Sequence, residues 1–309
     1  MKYLLETAPQ TLEIRDEVPP ELQDGHAKVR VAYVGVCHSD TAKVAQGRGP
    51  FPSRMGHEVS GTVIESKVKH LPPGTRVVAY VADGYADELV APAASLVPLH
   101  PDCSMLDAAL AEPLACVIGG IEMLDLTGQR EVVLVGSGFM GLMALRVLVA
   151  NGHRVVVIEP RAGARALAVR WGADRVLHPD EVPESMHLAN SVVIEATGGA
   201  PGLQLASDLV QIAGTLGIMG YHQSQGGKRT VDMESWNYRE LRVLSLHHRD
   251  RNKVLRWIDR AQRMSANKIV APSELVDRIV TLEELPASFA GAAAYDSIKT
   301  VLQIEGESS

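Results

Sequence analysis

Cys37 and His57 stand in two short polar clusters, Val36-Cys37-His38-Ser39-Asp40 and Met55-Gly56-His57-Glu58, whose residue types make sense around a metal ion. Thiolate and imidazole are borderline-soft donors that suit Zn²⁺, and a catalytic zinc takes about three protein ligands while one position stays open. A third ligand should therefore lie further along the chain. Glu112, in Ala111-Glu112-Pro113-Leu114-Ala115-Cys116, can offer a carboxylate, and Cys116 a second thiolate. Singly, each residue has a plainer reading: a lone cysteine packs as a small hydrophobe, and a lone histidine is a satisfied polar group. Their combination, upstream of a glycine turn of the nucleotide-binding kind, favours the metal.

That turn follows an apolar, β-branched run, Glu131-Val132-Val133-Leu134-Val135, which reads as a buried parallel strand. It continues as Gly136-Ser137-Gly138-Phe139-Met140-Gly141 and then as an apolar helical stretch. Gly136 permits the tight turn, Gly138 lets the backbone approach a pyrophosphate, and Gly141 lets the helix pack on the strand, with the helix N-terminus facing the negative charge. Phe139 and Met140 lie inside the motif and are expected to face the cofactor with it. A second strand, Arg154-Val155-Val156-Val157-Ile158, ends at Glu159. An acidic side chain about twenty residues beyond the glycines accepts hydrogen bonds from both hydroxyls of an adenosine ribose and repels a 2′-phosphate, so NAD is favoured over NADP. Arg161 and Arg165 work against that expectation, since either could meet a 2′-phosphate, although the solvated start of a helix also explains them. Thr197 and Gly220, at the ends of two later strand-like runs, are expected at the same cofactor.

With these residues in view, the chain resembles the zinc-dependent medium-chain dehydrogenases/reductases, nearest the sorbitol and polyol dehydrogenase branch of the alcohol dehydrogenases. The resemblance covers nearly the whole chain. It is carried by Cys37-His38-Ser39-Asp40, Gly56-His57-Glu58, Pro73-Gly74-Thr75-Arg76-Val77, Glu112-Pro113-Leu114, the glycine turn and Gly172-Ala173-Asp174. It implies that Cys37 and His57 are zinc ligands, that Glu112 is the carboxylate at the metal, and that Glu58 sits at or beside it. Asp40 would orient the His57 ring, as carboxylates behind metal-bound histidines do. Ser39 would relay the alcohol proton, and His38 would touch the cofactor pyrophosphate. Two departures matter. Members of the family often carry a lobe in which four cysteines hold a structural zinc, whereas this chain has only Cys37, Cys103 and Cys116. One catalytic zinc and no structural zinc are therefore expected. Ala42 stands where some alcohol dehydrogenases pass the proton to solvent through a histidine, so the relay must end differently.

The elements that must position these residues fall into two groups. Residues 1–117 read as short strands punctuated by Pro and Gly, such as Ala27 to Tyr33 and Ser60 to Ile64, which suggests a β-rich, barrel-like domain; the resemblance makes it a GroES-like catalytic domain. Residues 118–250 alternate strand and helix patterns and imply a doubly wound parallel sheet, a Rossmann domain in an α/β chain. Residues 251–309, with a helix over Lys253 to Met264 and a strand over Ile298 to Leu302, would return to complete the first domain. The ligand site is expected in the cleft between the two.

A length of 309 residues with 46% apolar content can build two cores, and a formal charge of −7 argues against nucleic acid or an anionic membrane as partner. Three cysteines without paired spacing suit a reducing cytosol. No long apolar run is free of glycine or charge, so a cytoplasmic protein is expected, assembled by family habit as a dimer or tetramer. The polar segment His247-His248-Arg249, following a strand-like run, is a candidate to hydrogen-bond a hydroxyl-rich or anionic small-molecule substrate; a charged surface cap is the other reading. The expected function is zinc-dependent hydride transfer between NAD and a secondary alcohol or ketone, with a polyol, sugar or cyclitol as substrate. The alternatives are a zinc-free NADPH-dependent quinone or enone reductase of the same superfamily, and a non-catalytic cofactor-binding protein.

Overall fold

The computed structural model of the protein describes residues 1–129, 131–289 and 297–304. Its backbone divides into two compact units, Met1–Ala115 with Arg251–Ser309, and Cys116–Asp250.

The first unit is β-rich. Its central strand, His26–Gly35, is flanked on one side by Glu58–Ser66, Arg76–Ala79 and Leu96–Pro98, and on the other by Thr300–Gln303 and Arg278–Val280. The strand Glu88–Pro92 pairs antiparallel with the same central strand. Along His26–Gly35 the buried positions run Ala27, Val29 and Val31 and then Ala32, Val34 and Gly35, because the register against Glu58–Ser66 shifts between Val31 and Tyr33. Such a bulge moves the inward face from odd to even positions and re-aims the end of a strand. Here that end is Gly35, followed by Val36 and Cys37. The core of the unit includes Val29, Val31, Val34, Val59, Val63, Val77 and Tyr85, together with Leu282, Leu285, Phe289 and Leu302 from the returning segment. The strand expected over Ile298 to Leu302 forms at Thr300–Gln303, and the helix expected over Lys253 to Met264 runs Arg251–Ala266.

The second unit is a six-stranded parallel sheet in the order Arg175–Leu177, Arg154–Ile158, Glu131–Val135, Asn190–Glu195, Val210–Ile218, Arg242–Ser245. Every pairing in it is parallel. In Glu131–Val135 all but the first residue is buried, as a central strand covered on both faces requires. The helices Phe139–Ala150, Ala162–Arg170 and Ala200–Leu209 connect successive strands. This is the doubly wound α/β arrangement that the alternation of patterns implies. Among the described residues no helix is long and apolar enough to cross a membrane.

Candidate functional site

In the first unit the chain leaves the central strand and enters the helix His38–Ala45 with Cys37 as its N-cap. The Cys37 Sγ accepts hydrogen bonds from the Ser39 backbone N–H at 3.4 Å and from the Ser39 hydroxyl at 3.1 Å. His57 precedes the strand Glu58–Ser66, whose first residues pair with the end of His26–Gly35, so the two polar clusters of the sequence meet at one corner of the sheet. The Cys37 sulfur, a His57 ring nitrogen and a Glu58 carboxylate oxygen lie within 4.8 Å of one another. Among the described residues this is the group of His, Cys, Asp and Glu side chains close enough to hold a metal ion.

Glu112 lies in the first turn of the helix Ala111–Glu122 and is buried, but its carboxylate is not a member of that group. Its influence on His57 is that of a nearby negative charge. Cys116, one turn along the same helix, is not in the group either. Both Glu58 and Glu112 are expected at the metal from the sequence, and it is Glu58 whose carboxylate stands with Cys37 and His57. The reason is topological, since Glu58 opens the strand that pairs beside Cys37.

The electrostatics of the cluster follow from its anionic donors. Burial alone would depress His57, but its hydrogen bond to Cys37 and the negative charges of Cys37, Asp40 and Glu112 override that and push it up to about 11. His57 Nδ1 lies 3.6 Å from Asp40 Oδ2, and the same oxygen accepts a 2.8 Å hydrogen bond from the Tyr85 hydroxyl. Asp40 thus stands beside the His57 imidazole. Burial raises the Asp40 carboxyl, an effect partly offset by His57 and by the Tyr85 bond. Tyr85, almost fully buried, is held well above the ordinary tyrosine range by burial and by the Asp40 charge, and it therefore stays a donor. Tyr85 was not legible as a site residue.

Lys299 is a second residue that sequence reasoning missed. Its Nζ sits 2.6 Å from Glu58 Oε2 and donates to the Val36 carbonyl at 3.0 Å, with both charged side chains buried. Gly35 provides the room, since a Cβ there would overlap the Glu58 carboxylate. The available signal was a lone charge in the strand-like run Ile298-Lys299-Thr300-Val301-Leu302. Among the other expected residues of this unit, Ser39 lies at the Cys37 sulfur, and His38 is exposed as the first residue of its helix.

In the second unit Gly136 has φ +98°, and its N–H donates to the Ile158 carbonyl at 2.8 Å. A Cβ on Gly141 would overlap the Gly136 carbonyl oxygen, so the third glycine is required for the turn to close. Gly138 is the N-cap of Phe139–Ala150, and Gly138, Phe139 and Met140 are half-buried. Glu159 does not present its carboxylate outward. It is 2% exposed, and its oxygens accept from Ser137 N at 2.9 Å, from Arg161 N at 3.0 Å and from Arg161 Nε and Nη2 at 2.8 and 3.1 Å. The free ribose-binding acid expected from spacing is turned into the glycine turn, because Arg161 two residues later pairs with it.

Glu195, fully buried at the end of Asn190–Glu195, organises the neighbouring strand ends. Its carboxylate accepts from the Thr197 N–H at 2.6 Å, from the Thr197 hydroxyl, from Gly198 N at 2.8 Å and from His222 Nε2 at 2.9 Å. Arg229 Nε donates to His222 Nδ1 at 2.8 Å, which leaves the ring proton on Nε2, facing Glu195. Gly220 packs so closely on Gly198 that a Cβ would overlap its nitrogen. Thr197 and Gly220 therefore stand together at the C-terminal ends of adjacent strands, where ligands of such sheets bind. Glu195 and His222 were not singled out from sequence; the hint was an acid closing an apolar strand.

The polar segment after Arg242–Ser245 divides. The His247 ring lies edge-on to Tyr221 at 5.4 Å, and burial, with the charges of Arg249 and His222, pushes it below the usual histidine range against an opposing Gly220 backbone bond. His248 Nε2 lies 3.1 Å from the Gly119 carbonyl. Arg249 is exposed and donates to the His248 carbonyl at 3.1 Å.

Two family profiles match the chain: that of the alcohol dehydrogenase GroES-like domain over residues 23–101, and that of zinc-binding dehydrogenases over residues 140–263. The galactitol 1-phosphate 5-dehydrogenase of Escherichia coli K12 is 22% identical over 71% of this chain and 75% of its own length. The sorbitol dehydrogenase of Pongo abelii is 29% identical over 69% and 72%. Among solved structures, a protein of Sinorhizobium meliloti described as a zinc-binding dehydrogenase bound to NADP superposes with a TM-score of 0.86 at 23% identity, covering 98% of each chain. Two matching profiles, a Cys-His-Glu cluster and a glycine turn on a parallel sheet together establish that the chain belongs to the zinc-type medium-chain dehydrogenase/reductase superfamily of oxidoreductases.

Proposed function

We propose that the chain is a zinc-dependent dehydrogenase that moves hydride between a nicotinamide dinucleotide and a secondary alcohol or its ketone, with a hydroxyl-rich substrate of the polyol, sugar or cyclitol class. The observation that carries this reading is the gathering of Cys37, His57 and Glu58 within 4.8 Å. One thiolate, one imidazole and one carboxylate are a donor set suited to zinc. The negative charges of Cys37, Asp40 and Glu112 around His57 favour a cation at the cluster. Cys37, His57 and Glu58 would hold the ion, and zinc when bound supplies Lewis-acid polarisation of the substrate oxygen.

The chain's own residues do the rest. Asp40 steadies the His57 ring from behind, and Tyr85 fixes Asp40. Lys299 holds Glu58 through an ion pair, so the Glu58 carboxylate is shared between a fixed cation and the metal position. Ser39, with its hydroxyl 3.1 Å from Cys37 Sγ, passes the substrate's hydroxyl proton outward. The glycine turn orients the dinucleotide through backbone N–H groups at a helix N-terminus. The substrate class is supported by relatives named for galactitol 1-phosphate, D-altritol and sorbitol, and by a chain with only three Phe to build a greasy pocket.

Metal analysis of the purified protein, paired with NAD⁺ and NADP⁺ reduction against a panel of polyols, sugars and cyclitols, tests the reading. About one zinc per chain is expected, with turnover on at least one panel member, and Cys37→Ala and His57→Ala should lose both the metal and at least about a thousandfold in rate. Full turnover without zinc would replace this reading with the zinc-free reductase. Zinc and dinucleotide binding without turnover on any alcohol would replace it with a non-catalytic binding protein.

A further inference from the structure

We propose that Arg161 and Arg165 form a 2′-phosphate subsite, so that the chain binds NADP(H) more tightly than NAD(H), the reverse of what an acid at position 159 implies. The proposal rests on the reading of the glycine turn as a dinucleotide site and deepens it by naming the nucleotide.

An acid at the end of the second strand selects NAD in two ways: it accepts hydrogen bonds from the ribose hydroxyls, and its charge repels a 2′-phosphate. Glu159 is equipped for neither. Its carboxylate receives four N–H donors, the Ser137 N–H at 2.9 Å, the Arg161 N–H at 3.0 Å, and Arg161 Nε and Nη2 at 2.8 and 3.1 Å, while the single proton of the Ser137 hydroxyl is placed between Glu159 Oε2 at 3.4 Å and the Ala164 carbonyl at 3.3 Å. A carboxylate has about four lone-pair sites, so no acceptor remains for a sugar. At 2% exposure it also has no face toward solvent from which to receive one. Burial would raise this carboxyl, but the bonds from Arg161 and Ser137 hold it below the ordinary range and therefore ionised and paired. Its charge is cancelled at contact distance by Arg161, which removes the repulsion.

What stands outward instead is cationic. The Arg161 side chain is half exposed, and the pairing with Glu159 uses only Nε and Nη2 of its five-donor fork. A Cβ on Gly138 would lie 3.6 Å from Arg161 Nη2, so the guanidinium sits beside the glycine that a pyrophosphate approaches. Arg165, one helical turn on, directs Nη1 to the carbonyls of Glu159 at 3.0 Å and Pro160 at 2.5 Å. Among the described residues it pairs with no carboxylate, and its charge is available to an anion. Two guanidinium groups flanking one strand end, against one neutralised acid, make the charge-assisted, fork-shaped site that phosphate recognition uses.

Direct binding titrations, read from nicotinamide and tryptophan fluorescence without any turnover, test this. The unmodified protein is expected to bind NADPH more tightly than NADH, and 2′,5′-ADP should compete for the site better than 5′-ADP. Arg165→Ala should weaken NADPH by on the order of tenfold and leave NADH unchanged. Arg161→Ala should weaken NADPH and strengthen NADH, because it removes the two guanidinium donors, opens acceptor positions on the Glu159 carboxylate to the ribose and restores its charge, and so invert the preference. Tighter binding of NADH by the unmodified protein overturns the proposal. So does an Arg165→Ala protein whose two affinities fall equally or not at all, and this variant, which removes no buried ion pair, keeps the test valid if Arg161→Ala does not fold. Failure to bind either nucleotide overturns the dinucleotide reading itself, and this proposal with it.

Discussion

Lys299 is buried to 5% exposure and Glu58 to 1%, and each is tolerable only because the other is there. Taking two charges out of water is costly, and removing one partner leaves the other uncompensated, which typically costs about 3–5 kcal/mol, whereas replacing both by neutral groups is often close to harmless. Lys299→Met should therefore destabilise the protein by roughly that amount, and combining it with Glu58→Gln should restore most of the loss. Urea unfolding of the unmodified protein, the two single variants and the double, all freed of metal with a chelator because Glu58 is also a proposed zinc ligand, gives the coupling. Additive losses would mean that the 2.6 Å pair contributes nothing beyond its parts. The residue scale also marks how far reading from sequence reaches. Cys37, His57 and Glu58 are visible because side chains able to ligate a metal carry their chemistry in their type. Lys299 and Tyr85 are invisible because they act through neighbours brought in by the sheet: Thr300–Gln303 returns against His26–Gly35, and Tyr85 reaches Asp40 from a loop beyond the strand Arg76–Ala79. Glu112, the other carboxylate expected at the metal, is buried near His57 and acts on it as a negative charge.

At the scale of elements, the strand, glycine turn and helix over Glu131 to Ala150 are legible because period, turn and cap all lie within one short window. The direction of the Glu159 side chain is not, since it depends on whether Arg161 folds back over the strand end. The same substitution in the two helices that start here should have opposite effects. In Phe139–Ala150, Gly141→Ala drives a methyl group into the Gly136 carbonyl, so the turn must open; dinucleotide binding should be lost, and stability should fall by at least about 1–3 kcal/mol, as for overpacking. In Ala162–Arg170, Gly163 is exposed, has open space within 4 Å of where an alanine methyl group would stand, and does not need positive φ. Gly163→Ala should raise stability by about 0.5–1 kcal/mol through helix propensity and a less flexible unfolded chain, with dinucleotide affinity unchanged. Thermal unfolding with and without the nucleotide separates the two. A Gly141→Ala protein that still bound dinucleotide normally would contradict the close-packed turn.

At the scale of the whole molecule, the first unit is discontinuous in sequence, being completed by residues beyond Arg251 after the chain has built the entire parallel sheet. The dinucleotide unit is local and was readable as an alternation of patterns, but which strands of the first unit pair is a long-range fact carried by burial alone. The returning segment supplies Thr300–Gln303 to the central strand, the helix Arg251–Ala266, and the Lys299 counter-charge to Glu58. Gln262 of that helix accepts from the His100 N–H at 2.7 Å and donates to the Pro98 carbonyl at 3.0 Å. The segment also buries Leu282, Leu285, Phe289, Val301 and Leu302. Five such side chains at about 1.5–3 kcal/mol each match the whole stability of an ordinary domain, about 5–15 kcal/mol. A chain ending at Asp250 should therefore fail to fold its first unit even though it keeps Cys37, His57 and Glu58, and its zinc content should fall from about one per chain to near zero. The unit Cys116–Asp250 retains all six strands of its sheet and should keep both its compactness and its dinucleotide binding. Limited proteolysis with metal analysis of the two fragments checks this directly: degradation confined to residues 1–115 with a protected parallel-sheet core is the expected pattern. Zinc bound stoichiometrically by the shortened chain would mean that the metal corner is self-sufficient and that the returning segment is ornament to it.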